Sequence, residues 1–181
     1  MKPPRKRREV PAGLTLTGLE SFVVQLLRHI PECADPGDDR LANARLFSPP
    51  TRKPDAKLQH DWSQYVQPEL RTLFESARDT VSGDLSRMRP EIASGAVELA
   101  ANAGGETTFR LVIPAKHFDA WLNALNQARL AIAAKYHLDE SDITNPSPLP
   151  FANERDYRLF QVDFYGYLQE RILLRLEESA S

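Results

Sequence analysis

The stretch spanning residues 107–136, TTFRLVIPAKHFDAWLNALNQARLAIAAKY, decides the fold because it joins two kinds of element through a proline. Residues 107–113 alternate poorly between apolar and polar, but their β-branched and aromatic content predicts a strand. Pro114 has a fixed φ and no N–H to lose, so it suits the start of a helix. That helix is expected to run to about Tyr136, with Phe118, Trp121, Leu122, Leu125, Leu130 and Ile132 as its apolar positions. Leu14-Thr15-Leu16-Thr17 enters a helix in the same way as Leu111-Val112-Ile113-Pro114. The two strands are therefore candidates to share one small sheet.

Working outward, residues 6–10 and 14–16 read as two short strands turning at Pro11-Ala12-Gly13. Thr17-Gly18-Leu19-Glu20 has the form of a capping box ahead of a helix bearing Phe22, Val23, Leu26, Leu27 and Ile30, which Pro31 limits. A polar Pro36-Gly37-Asp38-Asp39 leads to a short helix at 40–46, and the prolines of 48–54 make a loop. A helix over 55–66 would carry Leu58, Trp62, Tyr65 and Val66 on one side. Pro68 fits the first turn of the next, which carries Leu70, Leu73, Phe74, Ala77 and Val81. Gly83 and Pro90 suggest interruptions before a segment at 91–103 that Gly104-Gly105 ends. A second proline-rich loop occupies 145–150, and the last helix runs over about 153–177. The expected fold is mainly α: a single-domain helical bundle over 1–181 with a small two- or three-stranded β-sheet, residues 1–8 forming a flexible basic tail.

Composition narrows the function classes. A chain of 181 residues can bury roughly two-thirds of its extended surface around one core. Its 41% hydrophobic and 27% charged content is ordinary for a globular protein. No apolar run approaches the roughly 20 residues of a membrane span, so no membrane partner is expected. Lys2, Arg5, Lys6, Arg7 and Arg8 have no apolar segment behind them, which argues against a secretory signal. Cys33 is the only cysteine, which rules out an intrachain disulfide and fits a reducing, cytoplasmic setting. A net charge of −2 weighs against broad attraction to nucleic acid.

No phosphate-cradling glycine loop, zinc signature or nucleophile elbow is present, and no cofactor is implied. His29 and Cys33 stand four apart, but Pro31 between them spoils a shared metal on one helix face, and no local feature activates Cys33 as a nucleophile. The basic tail could grip phosphate or an acidic partner, although a frayed, solvated tail is the plainer reading. The better candidates are polar residues inside apolar helices: Asn126 and Arg129 in one, Asp163, Gln169 and Glu170 in the last. A charge near a core must find a partner, so Arg129 is expected to clasp Asp163 or Glu170 across two packed helices. The functional alternative is a polar pocket that reads a carboxylate or a peptide terminus. Gly166, between the two acids, permits close helix approach in either case. The last helix is apolar nearly all round, and should be central in the core or bury one side against a second copy in a homodimer.

Leu41-Ala42-Asn43-Ala44-Arg45-Leu46-Phe47-Ser48-Pro49, Trp121-Leu122-Asn123-Ala124-Leu125-Asn126-Gln127-Ala128-Arg129-Leu130 and Tyr167-Leu168-Gln169-Glu170 occur in that order along the chain. Together they resemble a family of uncharacterised bacterial proteins, best known in actinobacteria. The resemblance implies a regulatory or proteostatic role, since members are often encoded beside the adaptor that delivers N-degron substrates to the Clp protease. Some are labelled transcriptional regulators. Asn126, Arg129, Gln169 and Glu170 are the polar positions the resemblance carries over, while the loops at 48–54 and 145–150 depart from it.

Three function classes follow. The leading one is a non-enzymatic protein-binding or regulatory protein, with the Clp system as its partner by association. A DNA-binding transcriptional regulator would use the basic N-terminus, against the acidic balance and without a basic recognition helix. A hydrolase would use Asp163 and Glu170, whose seven-residue separation is about 10 Å by helical rise and suits an inverting acid/base pair only loosely.

Overall fold

The computed structural model describes residues 13–51, 53–91, 107–139, 142 and 151–180. Its elements, in chain order, are β1 (Leu14–Leu19), α1 (Ser21–Arg28), α2 (Ile30–Ala34), α3 (Arg40–Phe47) and α4 (Ala56–Asp61). A π-helical turn (Trp62–Val66) leads into α5 (Gln67–Leu85), β2 (Arg89–Pro90) and β3 (Phe109–Ile113). A 3-10 turn (Ala115–His117) then opens α6 (Phe118–Lys135), and α7 (Glu154–Ala180) closes the chain. The architecture is mainly α with a small antiparallel sheet in the order β1-β3-β2. The expected elements at 6–10, 91–103 and 145–150, and the basic tail, lie outside the described residues.

The strand and helix of 107–136 form as their composition predicts, and β3 pairs with β1 as Leu14 with Ile113, Thr15 with Val112 and Leu16 with Leu111. Leu111 and Ile113 point into the core, whereas Val112 between them is 45% exposed. At Gly13, with φ +126°, a Cβ would lie 2.2 Å from the carbonyl oxygen of Ile113, so only glycine lets β1 start this close to β3.

The capping box at Thr17–Glu20 does not form. Thr17–Leu19 extend β1 through an irregularity, with Leu19 paired to Phe109 of β3 and the Glu91 carboxylate accepting the Gly18 N–H. Helix α1 starts at Ser21 with no side-chain cap at Glu20. Gly83 likewise does not interrupt α5, which runs through it to Leu85. Burial of Ala77, Val81 and Leu85 along one face outweighs its low helix propensity of about 1 kcal/mol.

Pro68 stands in the first turn of α5, as its sequence reading has it, but α4, the π-turn and α5 follow one another without a break. Proline lacks an N–H and its ring strikes the carbonyl four residues back in an α-helix. The wide turn at Trp62–Val66, in which the Gln67 N–H reaches back to Trp62, absorbs that clash. Three helix starts carry a conventional side-chain cap. Asp39 accepts from the Ala42 N–H (2.8 Å), Asp55 from Leu58 (2.7 Å) and Asn153 from Asp156 (3.0 Å).

Helix α6 is the hub, packing against α2, α3, α5 and α7. Phe118, Trp121, Ala124, Leu125, Ala128 and Ile132 enter the main core, together with Leu27, Ile30, Val81 and, from α7, Val162, Tyr165, Leu168 and Ile172. Each large side chain so buried contributes about 1.5–3 kcal/mol. A smaller cluster under α3 joins Ala42, Leu46 and Phe47 to Ala131, with Leu70, Phe74 and Leu130 against it. Helix α7 is central on one stripe only: Tyr167, Leu173 and Leu174 are 56%, 49% and 42% exposed. Among the described residues, no helix is long and apolar enough to cross a membrane.

Gln127 is an oddity of this core. It is 1% exposed, yet neither its amide nitrogen nor its oxygen has a hydrogen-bond partner among the described residues. An unmade pair of bonds in an apolar site costs about 1–3 kcal/mol. Gln127→Met should therefore raise stability by roughly 1–3 kcal/mol in urea denaturation, with no change in the circular dichroism spectrum.

Candidate functional site

The polar residues singled out on the last two long helices meet where α6 crosses α7. Arg129 is half-buried, and its Nη1 donates to Gln169 Oε1 at 2.6 Å. Gln169 Nε2 in turn donates to the carbonyl of Leu122 (3.2 Å), about two turns back along α6. The guanidinium lies over Gly166, where an added Cβ would come within 3.3 Å of Arg129 Cζ. Glycine is thus what lets the side chain cross the α7 backbone.

The expected clasp between Arg129 and Asp163 or Glu170 is not made. Both acids are exposed, and no ion pair joins either to Arg129 among the described residues. The reason is geometric: Asp163 and Glu170 project to the solvent side of α7, whereas Gln169, one position before Glu170, faces α6. Arg129 Nε is buried without a partner. The cation is therefore held by a neutral amide, which fixes its position without cancelling its charge. Asn126, one turn before Arg129 on α6, is exposed. The seam thus carries Asn126, Arg129, Asp163, Gln169 and Glu170 together, two of them bonded and three facing solvent.

A second polar cluster was missed by sequence reading. Asp84, in the last turn of α5, is fully buried. Its carboxylate accepts from Trp121 Nε1 (2.8 Å) and His117 Nδ1 (2.9 Å), and from the guanidinium of Arg87. The signal was present: Asp84 follows Ala77 by seven and Val81 by three, which places an acid on the apolar stripe of α5. Of its donors only Arg87 is local, three residues on; His117 and Trp121 come from far along the chain, so little nearby marked the cluster. Facing a carboxylate, His117 Nδ1 carries the proton. The His117 ring makes no hydrogen bond to any other side chain among the described residues, and its bond to Asp84 ties the end of α5 to the turn that opens α6.

Cys33 is half-buried on α2, with Tyr165 Oη and Gln161 Nε2 each 3.9 Å from its sulfur. Burial pushes the thiol above its ordinary value, more than the Tyr165 hydroxyl lowers it. Burial pushes the Tyr165 hydroxyl up as well, and that hydroxyl donates to the carbonyl of Leu26 at 3.0 Å. His29 is exposed, and no group of three or more metal-ligating side chains occurs among the described residues. A concavity of about 650 Å3 between α3, the loop after it and the end of α6 has Arg45 and His137 as the titratable groups of its lining. It lies apart from both polar clusters.

Two outcomes follow. Asp84→Ala leaves the Trp121 N–H buried without an acceptor and removes a buried anion from its donors. Urea denaturation should show a loss of about 3 kcal/mol. For Cys33, the folded thiol keeps its proton to higher pH than the unfolded one, so its contribution is present below the unfolded value and lost as pH rises through the folded value. Above the thiol's ordinary value of 9.0 the wild type should therefore lose more stability with rising pH than Cys33→Ala. Native Cys33 should also react with iodoacetamide more slowly than free cysteine at about pH 8, and unfolding should abolish the difference.

No curated protein and no solved structure matches the chain. A family model does, over residues 5–176, which takes in every element described above except the last four residues of α7. The chain belongs to the family described as a domain of unknown function, DUF2017.

Proposed function

We propose that this chain is a non-enzymatic, cytoplasmic regulatory protein that binds a protein partner across the seam of α6 and α7. The observation that supports this is the Arg129 guanidinium. It is half-buried, anchored by Gln169 and lacks a carboxylate partner within 4.0 Å among the described residues. A pre-positioned cation that is not neutralised internally offers charge-assisted hydrogen bonds to an acceptor on another molecule, and little side-chain entropy remains to be lost on binding. Asn126 on one side and Asp163 and Glu170 on the other supply further exposed polar contacts.

The partner we propose is the Clp proteolytic system of a bacterial host. This rests on the gene context of the actinobacterial family that the chain resembles, which is an association and not a contact. The test is a nuclease-treated affinity pull-down from that host, with wild-type and Arg129→Ala baits read side by side by mass spectrometry. Matched circular dichroism and thermal unfolding of the two baits would exclude misfolding. Clp components or their adaptor should be enriched with wild type and lost with Arg129→Ala. Recovery of background proteins alone from both baits would overturn the proposal.

A further inference from the structure

The apolar residues of α7 that stay out of the core fall into a pattern. Phe160, Tyr167 and Leu174 are spaced seven apart, and each is followed three residues later by an acid: Asp163, Glu170 and Glu177. Seven residues span about two turns, so each set forms a file along one line of the helix. Tyr167 is 56% and Leu174 42% exposed, Phe160 is half-buried, and the three acids are exposed. Phe160 is held from behind by the rings of Phe22 and Phe151, at 5.9 and 5.3 Å between centroids. The file thus has a rigid aromatic base at one end. At the other end a groove of about 520 Å3 opens between Leu14 and Leu174, with Arg171, Arg175, Glu177 and Glu178 around it.

From the juxtaposition of an exposed apolar file and an exposed acidic file on α7, we infer that this face docks an amphipathic helix of another protein, one with apolar side chains at seven-residue intervals beside a file of Lys or Arg. The inference rests on the protein-binding reading above and adds the chemistry of the partner. Charge decides the occupant. Asp163 and Glu170 form no ion pair among the described residues, so a basic file would meet carboxylates that are not already engaged. Arg171, on the other flank of the apolar file, favours an acid at the partner's far edge. An antiparallel second copy fits worse. A two-fold axis through Tyr167 brings the same flank of both helices together, which sets Asp163 of one copy beside Glu170 of the other.

The probe is a synthetic amphipathic peptide of about 20 residues, about 30 Å long as a helix, with a leucine file beside a lysine file. A second peptide has glutamate in place of every lysine. Fluorescence anisotropy at low salt should show the lysine peptide binding the full chain and the glutamate peptide not, with affinity falling as salt is added. The double variant Asp163→Lys, Glu170→Lys should weaken the lysine peptide at least about tenfold and gain binding of the glutamate peptide. Both changes lie at exposed positions, so thermal unfolding should be unaltered, and the gain of the glutamate peptide cannot come from misfolding. Equal binding of both peptides, or indifference to the charge reversal, would overturn the inference. So would a dimer in light scattering that Tyr167→Lys dissociates, since a second copy would then occupy the face. If a host partner is lost with Arg129→Ala but retained by the double variant, the binding reading stands and this inference alone falls.

Discussion

One buried carboxylate determines how the helices of this protein are joined. Asp84 has no access to water, and an isolated anion in that position would cost several kcal/mol. It is tolerated because Trp121, His117 and Arg87 all direct N–H groups at it. Those donors come from the start of α6 and from the turn that follows α5. Satisfying the charge therefore fixes where α6 begins relative to the end of α5. Since α6 is the helix against which α2, α3, α5 and α7 pack, the position of the whole bundle follows from that placement. The apolar core supplies most of the free energy, but it is nondirectional, and a leucine–alanine interface tolerates sliding that a carboxylate with three fixed donors does not.

The seam of α6 and α7 shows the same physics with the opposite outcome. At Asp84 the charge is cancelled inside the molecule. At Arg129 the partner is an amide, so the geometry is specified and the charge is left over. Gly166 permits this by removing the side chain that would otherwise occupy the guanidinium's place. The acids that could have neutralised Arg129 stand on the outer side of α7 and give that face its own sign. The two polar features of the domain thus divide into one that holds the fold together and one directed outward.

Local chemistry was readable where it acted alone. The β-branched run before Pro114 announced β3, and the similar run at Leu14–Leu16 announced its partner. Asp39, Asp55 and Asn153 stand directly ahead of the helices they cap. Readings failed where a distant residue outbid a local one: Thr17–Glu20 has the letters of a capping box, but β3 and Glu91 claim its backbone. Gly83 is a weak helix residue kept helical by the burial of Val81 and Leu85. Arg129 and Gln169 stood out in the sequence as polar side chains inside apolar helices, and they do bond across α6 and α7. The partner of Arg129 was misjudged, since spacing on one helix says that Asp163, Gln169 and Glu170 are candidates but not which of them faces α6. Asp84 was overlooked for the converse reason, since its donors are supplied from beyond residue 86.

The π-turn at Trp62–Val66 divides a single helical run into parts of unequal strength. Helix α4 before it has no buried residue, while α5 after it holds Ala77, Val81, Asp84 and Leu85 against the core. The Trp62 indole, donating to the carbonyl of Phe47 at 2.7 Å, is the attachment of the first part to the body. Helix propagation needs an unbroken ladder of backbone bonds, and Pro68 supplies no rung. The segment ahead of Pro68 can accordingly open and close as a unit of its own, at a free-energy cost well below that of global unfolding. Amide protons ahead of Pro68 should therefore exchange faster than those of the buried face of α5, which native-state hydrogen exchange would read.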